Sequence, residues 1–288
     1  MTEPEGKLYV VATPIGNLAD ITARAREILA DVDAIACEDT RHSRRLLSHL
    51  GIELGARREL IAYHDHNERD VTERLLARLA AGARIALISD AGTPLVSDPG
   101  FVLVRAARER GVAVVPVPGP SAPICALSAA GLPSDRFLFL GFPPRAQGQR
   151  LAWIGAVAAE PGTLICYESP KRAAATLNDL AAVLGGGRRA VVAREMTKRF
   201  ETFLSGTLAD LAKRVAADPE QQLGELVLLI EGDRRSKEDQ SGGEERRILE
   251  ILAAELPLKQ AVALTARITG ANRNRLYREA LARDRGAG

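Results

Sequence analysis

The sequence predicts an α/β protein made of two α/β domains and a small C-terminal helical extension. Three observations predict it. Short runs rich in Val and Ile alternate with longer amphipathic stretches, the pattern of strands joined by helices. A Pro/Gly cluster at Pro116–Pro123 ends one such series before a second begins. A polar, glycine-bearing stretch, Asp233–Glu245, precedes two short helical segments. These features set borders at 1–119, 120–232, a joint over 233–245, and a unit over 246–288.

In the first series, strands are expected at Lys7–Thr13, Ala34–Cys37, Leu60–Tyr63, Arg84–Ser89 and Val112–Val117. Helices are expected between them at Ile21–Ala30, Ser43–Leu50, Asn67–Ala81 and Phe101–Arg110. RIALIS and VAVVPV are almost continuously apolar, as strands of a parallel sheet buried on both faces are. The second series predicts strands at Phe137–Leu140, Thr163–Tyr167, Ala190–Glu195, Glu201–Ser205 and Leu226–Glu231. Its helices are Arg150–Ala159, Arg172–Leu184 and Leu208–Ala217. VVAREM and ETFLSG have no helix between them, which predicts a hairpin and therefore a mixed sheet. In the extension, Leu258–Ile268 and Asn272–Ala282 flank a Thr269–Gly270 turn, an arrangement like a helix-turn-helix.

Composition narrows the class. Hydrophobic residues make up 46% and charged residues 26% of 288 positions, which excludes a disordered or collagen-like chain. Aromatics are only 4%, so the core is aliphatic. A net charge of +2 excludes a uniformly basic coat but allows local basic patches. The extension is such a patch: from Glu244 onward, nine Lys and Arg stand against six Asp and Glu. Three widely spaced cysteines, Cys37, Cys125 and Cys166, suit buried thiols in a reducing compartment rather than a disulfide framework. The start, MTEPEGKLYVV, lacks the basic and apolar regions of a secretory signal, and no run of about 18 apolar residues exists. The expectation is a cytoplasmic protein without a membrane span.

Ligands of doubly wound sheets bind outside the carboxyl ends of the strands. Here those loops read Thr13–Leu18, Glu38–His42, His64–Glu68, Ser89–Gly100 and Pro118–Ala122, all polar or turn-forming at one sheet edge. Together they predict a binding cleft. There is no GxxxxGK[ST] and no GxGxxG after a strand, so a pyrophosphate ligand is disfavoured. Gly92, between Asp90 and Pro94, allows close backbone approach in a stiff loop, which suits a nucleoside without phosphates.

LYVVATPIGNLADIT, ACEDTRHSRRLL, YHDHNE, ALISDAGTPLVSDPG, VPGPSA, FLGFPP and CYESPKR occur in this order. Together they resemble the tetrapyrrole-methylase superfamily. Within it, the likeness is to the bacterial branch that methylates the ribose 2′-oxygen of a cytidine in 16S ribosomal RNA. It runs from about Lys7 to Gly232 and continues through LPLKQAVALTARITGANRNRLYREAL. The resemblance implies S-adenosylmethionine (SAM) in a cleft between two α/β domains, a homodimer, and 16S rRNA within the small ribosomal subunit as partner. Carried over by motif position, the SAM contacts are Ile15, Asp90, Thr93, Val96, Ser121, Ala122, Tyr167 and Leu226. Related tetrapyrrole enzymes often have GDP where this chain has Gly92-Thr93-Pro94. The missing carboxylate favours the RNA branch over the alternative, a tetrapyrrole or other small-molecule acceptor.

Several residues keep two readings. Asp39 suits a helix cap and also a place near the transferred methyl. Arg41, Arg44 and Arg45 fit a solvated helix start and also RNA phosphate contact. His64 and Asn67 suit a structural role or the positioning of RNA, and the His64–His66 pair is poor support for a metal, so none is expected. Asp39 and His64 are the candidate proton acceptors, with bulk water as a rival. Glu195 and Lys198 could pair with each other or face the cleft. Arg273, Arg275 and Arg278 fit RNA contact, or the extension could instead support a dimer.

Overall fold

The computed structural model describes residues 6–55, 58–233 and 237–284. The first sheet is built from β1 (Lys7–Val11), β2 (Ala34–Cys37), β3 (Glu59–Ala62), β4 (Arg84–Ile88) and β5 (Ala113–Val117). Its order is β3-β2-β4-β1-β5, and every pairing is parallel. The connecting helices are α1 (Ala23–Asp31), α2 (Thr40–His49), α3 (Glu68–Ala80) and α4 (Phe101–Glu109). Alternate strand residues feed two cores. Leu8, Ala36, Ile85 and Leu87 pack with Leu75, Leu76 and Leu79 of α3 and Leu103 of α4. Ile35, Cys37, Ala86 and Ile88 pack on the other face with Leu29 of α1 and Leu46 and Leu47 of α2. Covering both faces explains why these strands are apolar throughout.

After β5 the chain enters α5 (Ala122–Ala130), a helix that the prolines of Pro116–Pro123 hide in the sequence. Pro123 lies in its first turn, where no intrahelical N–H is needed. Gly131, in left-handed conformation at φ 64°, ends it. The second sheet contains β6 (Phe137–Phe139), β7 (Thr163–Glu168), β8 (Arg189–Arg194), β9 (Thr202–Thr207) and β10 (Leu226–Ile230), ordered β6-β7-β10-β8-β9. β6 and β7 are parallel and the other neighbours antiparallel, with β8 and β9 as the expected hairpin. The helices α6 (Gln147–Ala156), α7 (Pro170–Leu184) and α8 (Leu208–Ala217) cover one face, and α5 packs against the other.

The expected border at 119/120 separates the two sheets, yet both belong to one compact unit. The reason is that loops of the first sheet hydrogen-bond into the second half: Thr93 Oγ1 donates to the Pro120 carbonyl at 2.9 Å, and the Asn17 N–H to Thr197 Oγ1 at 3.1 Å.

The other unit comprises Ala159–Pro161 and the C-terminal helices α9 (Lys237–Glu255), α10 (Leu258–Thr269) and α11 (Arg273–Asp284). The stretch expected as a joint is therefore helical from Lys237, while 234–236 lie outside the described residues. Its Lys, Glu and Gln are good helix formers, and Gly242 and Gly243 cost about 1 kcal/mol each against alanine, too little to stop a helix anchored at its C-terminal half. Within this unit the buried Glu245 pairs with Arg275, Ala261 and Val262 of α10 and Leu276 of α11 are buried, and Gly270 turns the chain at φ 75°. Among the described residues, no helix is long and apolar enough to cross a membrane.

Candidate active site

Two loops at the carboxyl edge of the first sheet are stitched together. β1 and β4 are neighbours, so the loops after them meet: Thr13 and Gly92 exchange N–H···O=C bonds of 2.9 and 3.1 Å. Thr13 Oγ1 adds a bond of 3.2 Å to the Ser89 carbonyl. Gly92 stands at φ 84°, and a Cβ there would lie 3.3 Å from Ile15 Cγ2, so glycine serves both conformation and close approach. In the same loop Leu95 (φ 71°) and Ser97 (φ 69°) hold left-handed conformations without being glycine. Strain of this kind is retained where surrounding structure enforces it.

The second sheet supplies the opposite wall. Tyr167 and Glu168 end β7, and because β10 runs antiparallel, its start at Leu226 pairs with Glu168 at the same edge. The Tyr167 ring packs between Phe139 and Phe142, with centroids 5.1 Å from each. Burial first, then the nearby Asp98 and Glu225 carboxylates, push its phenol up to about 12. The turn after β8 carries Glu195 and Thr197 at φ 51° and 66°. Lys198 Nζ donates to Glu195 Oε1 and to Glu225 Oε2, both at 2.8 Å, so the Glu195–Lys198 pair forms and also faces the cleft through Lys198.

Between these walls lies a cavity of ≈ 450 Å³. All eight residues assigned to SAM by resemblance line it: Ile15, Asp90, Thr93, Val96, Ser121, Ala122, Tyr167 and Leu226. Sequence reasoning missed Asp98, Phe142, Met196 and Gly224, which line the same cavity. Asp98 was visible in the SDPG end of the fourth loop. Gly224 was not, because its role depends on Glu195 folding against it: a Cβ at Gly224 would fall 2.3 Å from the Glu195 carboxyl.

The remaining candidates lie outside the cavity lining. Asp39 caps α2, its Oδ1 accepting N–H bonds from Arg41 at 2.7 Å and His42 at 3.4 Å. The Arg41 backbone and guanidinium hold its carboxyl below the usual range. Its own N–H donates to Asp90 Oδ1 at 3.2 Å, so Asp39 braces a cavity residue rather than facing the cavity. Asn67 closes the turn before α3, accepting from the His64 N–H and donating to the Ala62 carbonyl, both at 2.9 Å. Among the described residues His64 Nδ1 is buried without a hydrogen-bond partner, and its ring meets His66 edge-on at 5.9 Å. Among the described residues, no group of three or more His, Cys, Asp or Glu could hold a metal ion. Arg41, Arg44 and Arg45 are exposed on α2, opposite the buried Ser43, Leu46 and Leu47. Arg273 and Arg278 are exposed, whereas Arg275 is engaged with Glu245.

Two sheets covered by helices, a pocket at strand ends and a helical C-terminal unit define a class. The chain belongs to the Tetrapyrrole (Corrin/Porphyrin) Methylases, whose family model matches residues 7–212, and it is accordingly a methyltransferase. Residues 239–284 match the RsmI C-terminal HTH domain. The chain is 54% identical over 279 residues to a Pseudomonas aeruginosa protein named Ribosomal RNA small subunit methyltransferase I, covering 96% of this chain and 98% of that one. The protein of the same name in Escherichia coli O157:H7 is 53% identical over 278 residues, covering 96% and 95%. Among solved structures, the methyltransferase CobJ aligns with TM-score 0.58 and 21% identity over 80% of this chain and 96% of that one. Diphthine synthase aligns with TM-score 0.59 and 15% identity over 78% and 90%. These two likenesses concern the fold.

Proposed function

We propose that this protein transfers a methyl group from SAM to the ribose 2′-hydroxyl of a cytidine in 16S ribosomal RNA of the small subunit, in the cytoplasm and as a homodimer. The observation that carries the reading is the convergence of all eight motif-assigned residues on one cavity. The names of the relatives support ribosomal RNA as the acceptor.

The residues present fit SAM. The cavity lies in the range of small-molecule sites. Ile15, Val96, Ala122, Met196 and Leu226 give it apolar walls for a nucleoside and a thioether chain. Its one lysine is neutralised by Glu195 and Glu225, so the wall does not repel a sulfonium. SAM, when bound, supplies a methyl group already activated on that sulfonium, so no metal is required. The chain has to hold the donor, exclude water and align the acceptor oxygen. Orientation of this kind contributes roughly 7–11 kcal/mol in favourable cases. Thr93, tied to Pro120, fixes the donor loop. The exposed arginines Arg41, Arg44 and Arg45 stand on a helix whose cap residue touches Asp90, which supports reading them as phosphate contacts. Arg273 and Arg278 offer a second such surface on the C-terminal unit.

The test is methyl transfer from tritiated SAM to small ribosomal subunits and to free 16S rRNA, followed by nuclease digestion and mass spectrometry. The expected product is 2′-O-methylcytidine. A methylated base on an unmodified ribose overturns the reading.

A further inference from the structure

Four carboxylates line the cavity: Asp90, Asp98, Glu168 and Glu225. Three are engaged. Asp90 accepts the Asp39 N–H at 3.2 Å. Glu168 is sealed from solvent by the Ser169 N–H at 2.7 Å, the Thr176 hydroxyl at 2.5 Å and Arg172 at 3.2 Å. Glu225 holds Lys198 at 2.8 Å. Asp98 alone has neither a cation nor a backbone N–H for partner among the described residues; its neighbours are the Ser89 hydroxyl, Glu38, Asp90 and Tyr167. It follows directly on Leu95 and Ser97, two non-glycine residues in left-handed conformation.

We infer that Asp98 is the proton acceptor of the methyl transfer. The inference rests on the ribose-hydroxyl reading above. Asp98 takes the proton of the acceptor hydroxyl as that oxygen uses a lone pair to bond the methyl carbon. The electrons of the broken methyl–sulfur bond remain on sulfur, which leaves as a neutral thioether. Asp98 then returns its proton to water. The surroundings suit this task. Burial, then the charges of Glu38 and Asp90, push the carboxyl up to about 6 against the opposing Ser89 hydroxyl. Near neutrality such a group is ionised yet basic enough to hold a proton transiently. Tyr167 stays neutral across that range and adds no charge of its own.

The test compares wild type with Asp98→Asn and Asp98→Glu in the full chain. The Asn variant is expected to lose about 10²–10⁴-fold in kcat. Its affinity for S-adenosylhomocysteine, measured by calorimetry, is expected to stay within a few-fold of wild type. The wild-type rate should rise with pH through a limb near 6, and the Asn variant should lack that limb. The Glu variant should recover part of the rate. An Asn variant with wild-type kcat and an intact acid limb overturns the inference in favour of solvent. Donor affinity lost in proportion to rate overturns it too, because the carboxylate then serves the donor's charge. Wild-type methylation of something other than a ribose oxygen is a distinct result: it overturns the ribose reading, and with it the hydroxyl proton that Asp98 is assigned to accept.

Discussion

The Asn17 N–H donates to Thr197 Oγ1 at 3.1 Å, fastening the loop after β1 to the turn after β8. Thr197 holds this position at φ 66°, a conformation that β-branched residues rarely adopt. Beside it, a Cβ on Gly16 would fall 2.6 Å from Lys198 Cγ, so only glycine lets the Lys198 side chain lie so close to this backbone. Loops from the two sheets are therefore fastened to each other beside Ile15, Met196 and Lys198, which line the cavity.

Thr197→Gly should separate stability from binding. The lost hydrogen bond costs about 0.5–1.5 kcal/mol. Relief of the left-handed backbone returns about 1–3 kcal/mol. Thermal denaturation should therefore show little loss, while calorimetry shows SAM affinity reduced several-fold because the wall is no longer tied. A large loss of stability with unchanged affinity would contradict this account.

Glu195→Gln should weaken SAM binding through Lys198. Burial raises the Glu195 carboxyl, but the Lys198 ammonium and the Glu225 N–H outweigh it and hold the group below its usual range. With the charge removed, Lys198 keeps only the exposed Glu225 and presents a partly unneutralised cation to a sulfonium. The affinity loss should shrink as salt rises, as repulsion between partly exposed charges does. A loss independent of salt would point to altered packing instead.

Asp98→Asn should be more stable than wild type at neutral pH. The folded carboxyl binds its proton near 6 and the unfolded one near 3.8, so the folded state binds more protons in between. Stability thus falls as pH rises through that window, and the penalty is complete above it. The variant should gain about 1–2 kcal/mol at pH 7–8, after discounting for solvent screening, and lose the gain below pH ~4. Denaturant titrations at the two pH values measure it, and a destabilised variant at pH 8 contradicts it.

The three thiols should differ in reactivity. Burial pushes Cys37 up to about 11 and raises Cys166, which lies between the second sheet and its helices, whereas Cys125 is only partly buried. A thiol reagent at pH 8 should label Cys125 in the native protein and reach the other two after unfolding. Peptide mass spectrometry identifies the labelled sites.

In the C-terminal unit, arginines of one helix should have different roles. Arg273→Ala with Arg278→Ala should flatten the log–log salt dependence of RNA binding by roughly 1–2 units. Arg275→Ala should instead destabilise the unit by about 1–3 kcal/mol, since Glu245, with its side chain 5% exposed, loses its partner. Salt titrations and thermal melts separate the two effects.

The order of strands and helices was legible because it rests on local periodicity. Ala34–Cys37 and Leu208–Ala217 lie where the sequence sets them. Two helices were not legible. Prolines mask α5, although one of them sits in a first turn that tolerates it. A composition that reads as a joint masks the start of α9, whose helix is held through the Glu245–Arg275 pair, thirty positions apart.

By itself, the sequence determined the α/β alternation, the aliphatic core and the chemistry of each loop; the eight residues that line one cavity came from its family resemblance. Tertiary structure alone decided how those loops are used. It made Asp39 a cap, sealed Glu168, paired Glu225 with Lys198 and, among the described residues, left Asp98 without a cation. The physical reason is that a carboxylate's role depends on which donors and charges surround it. The neighbours of Asp98 come from β2, β4 and β7 ends that meet only once the sheets have formed and packed.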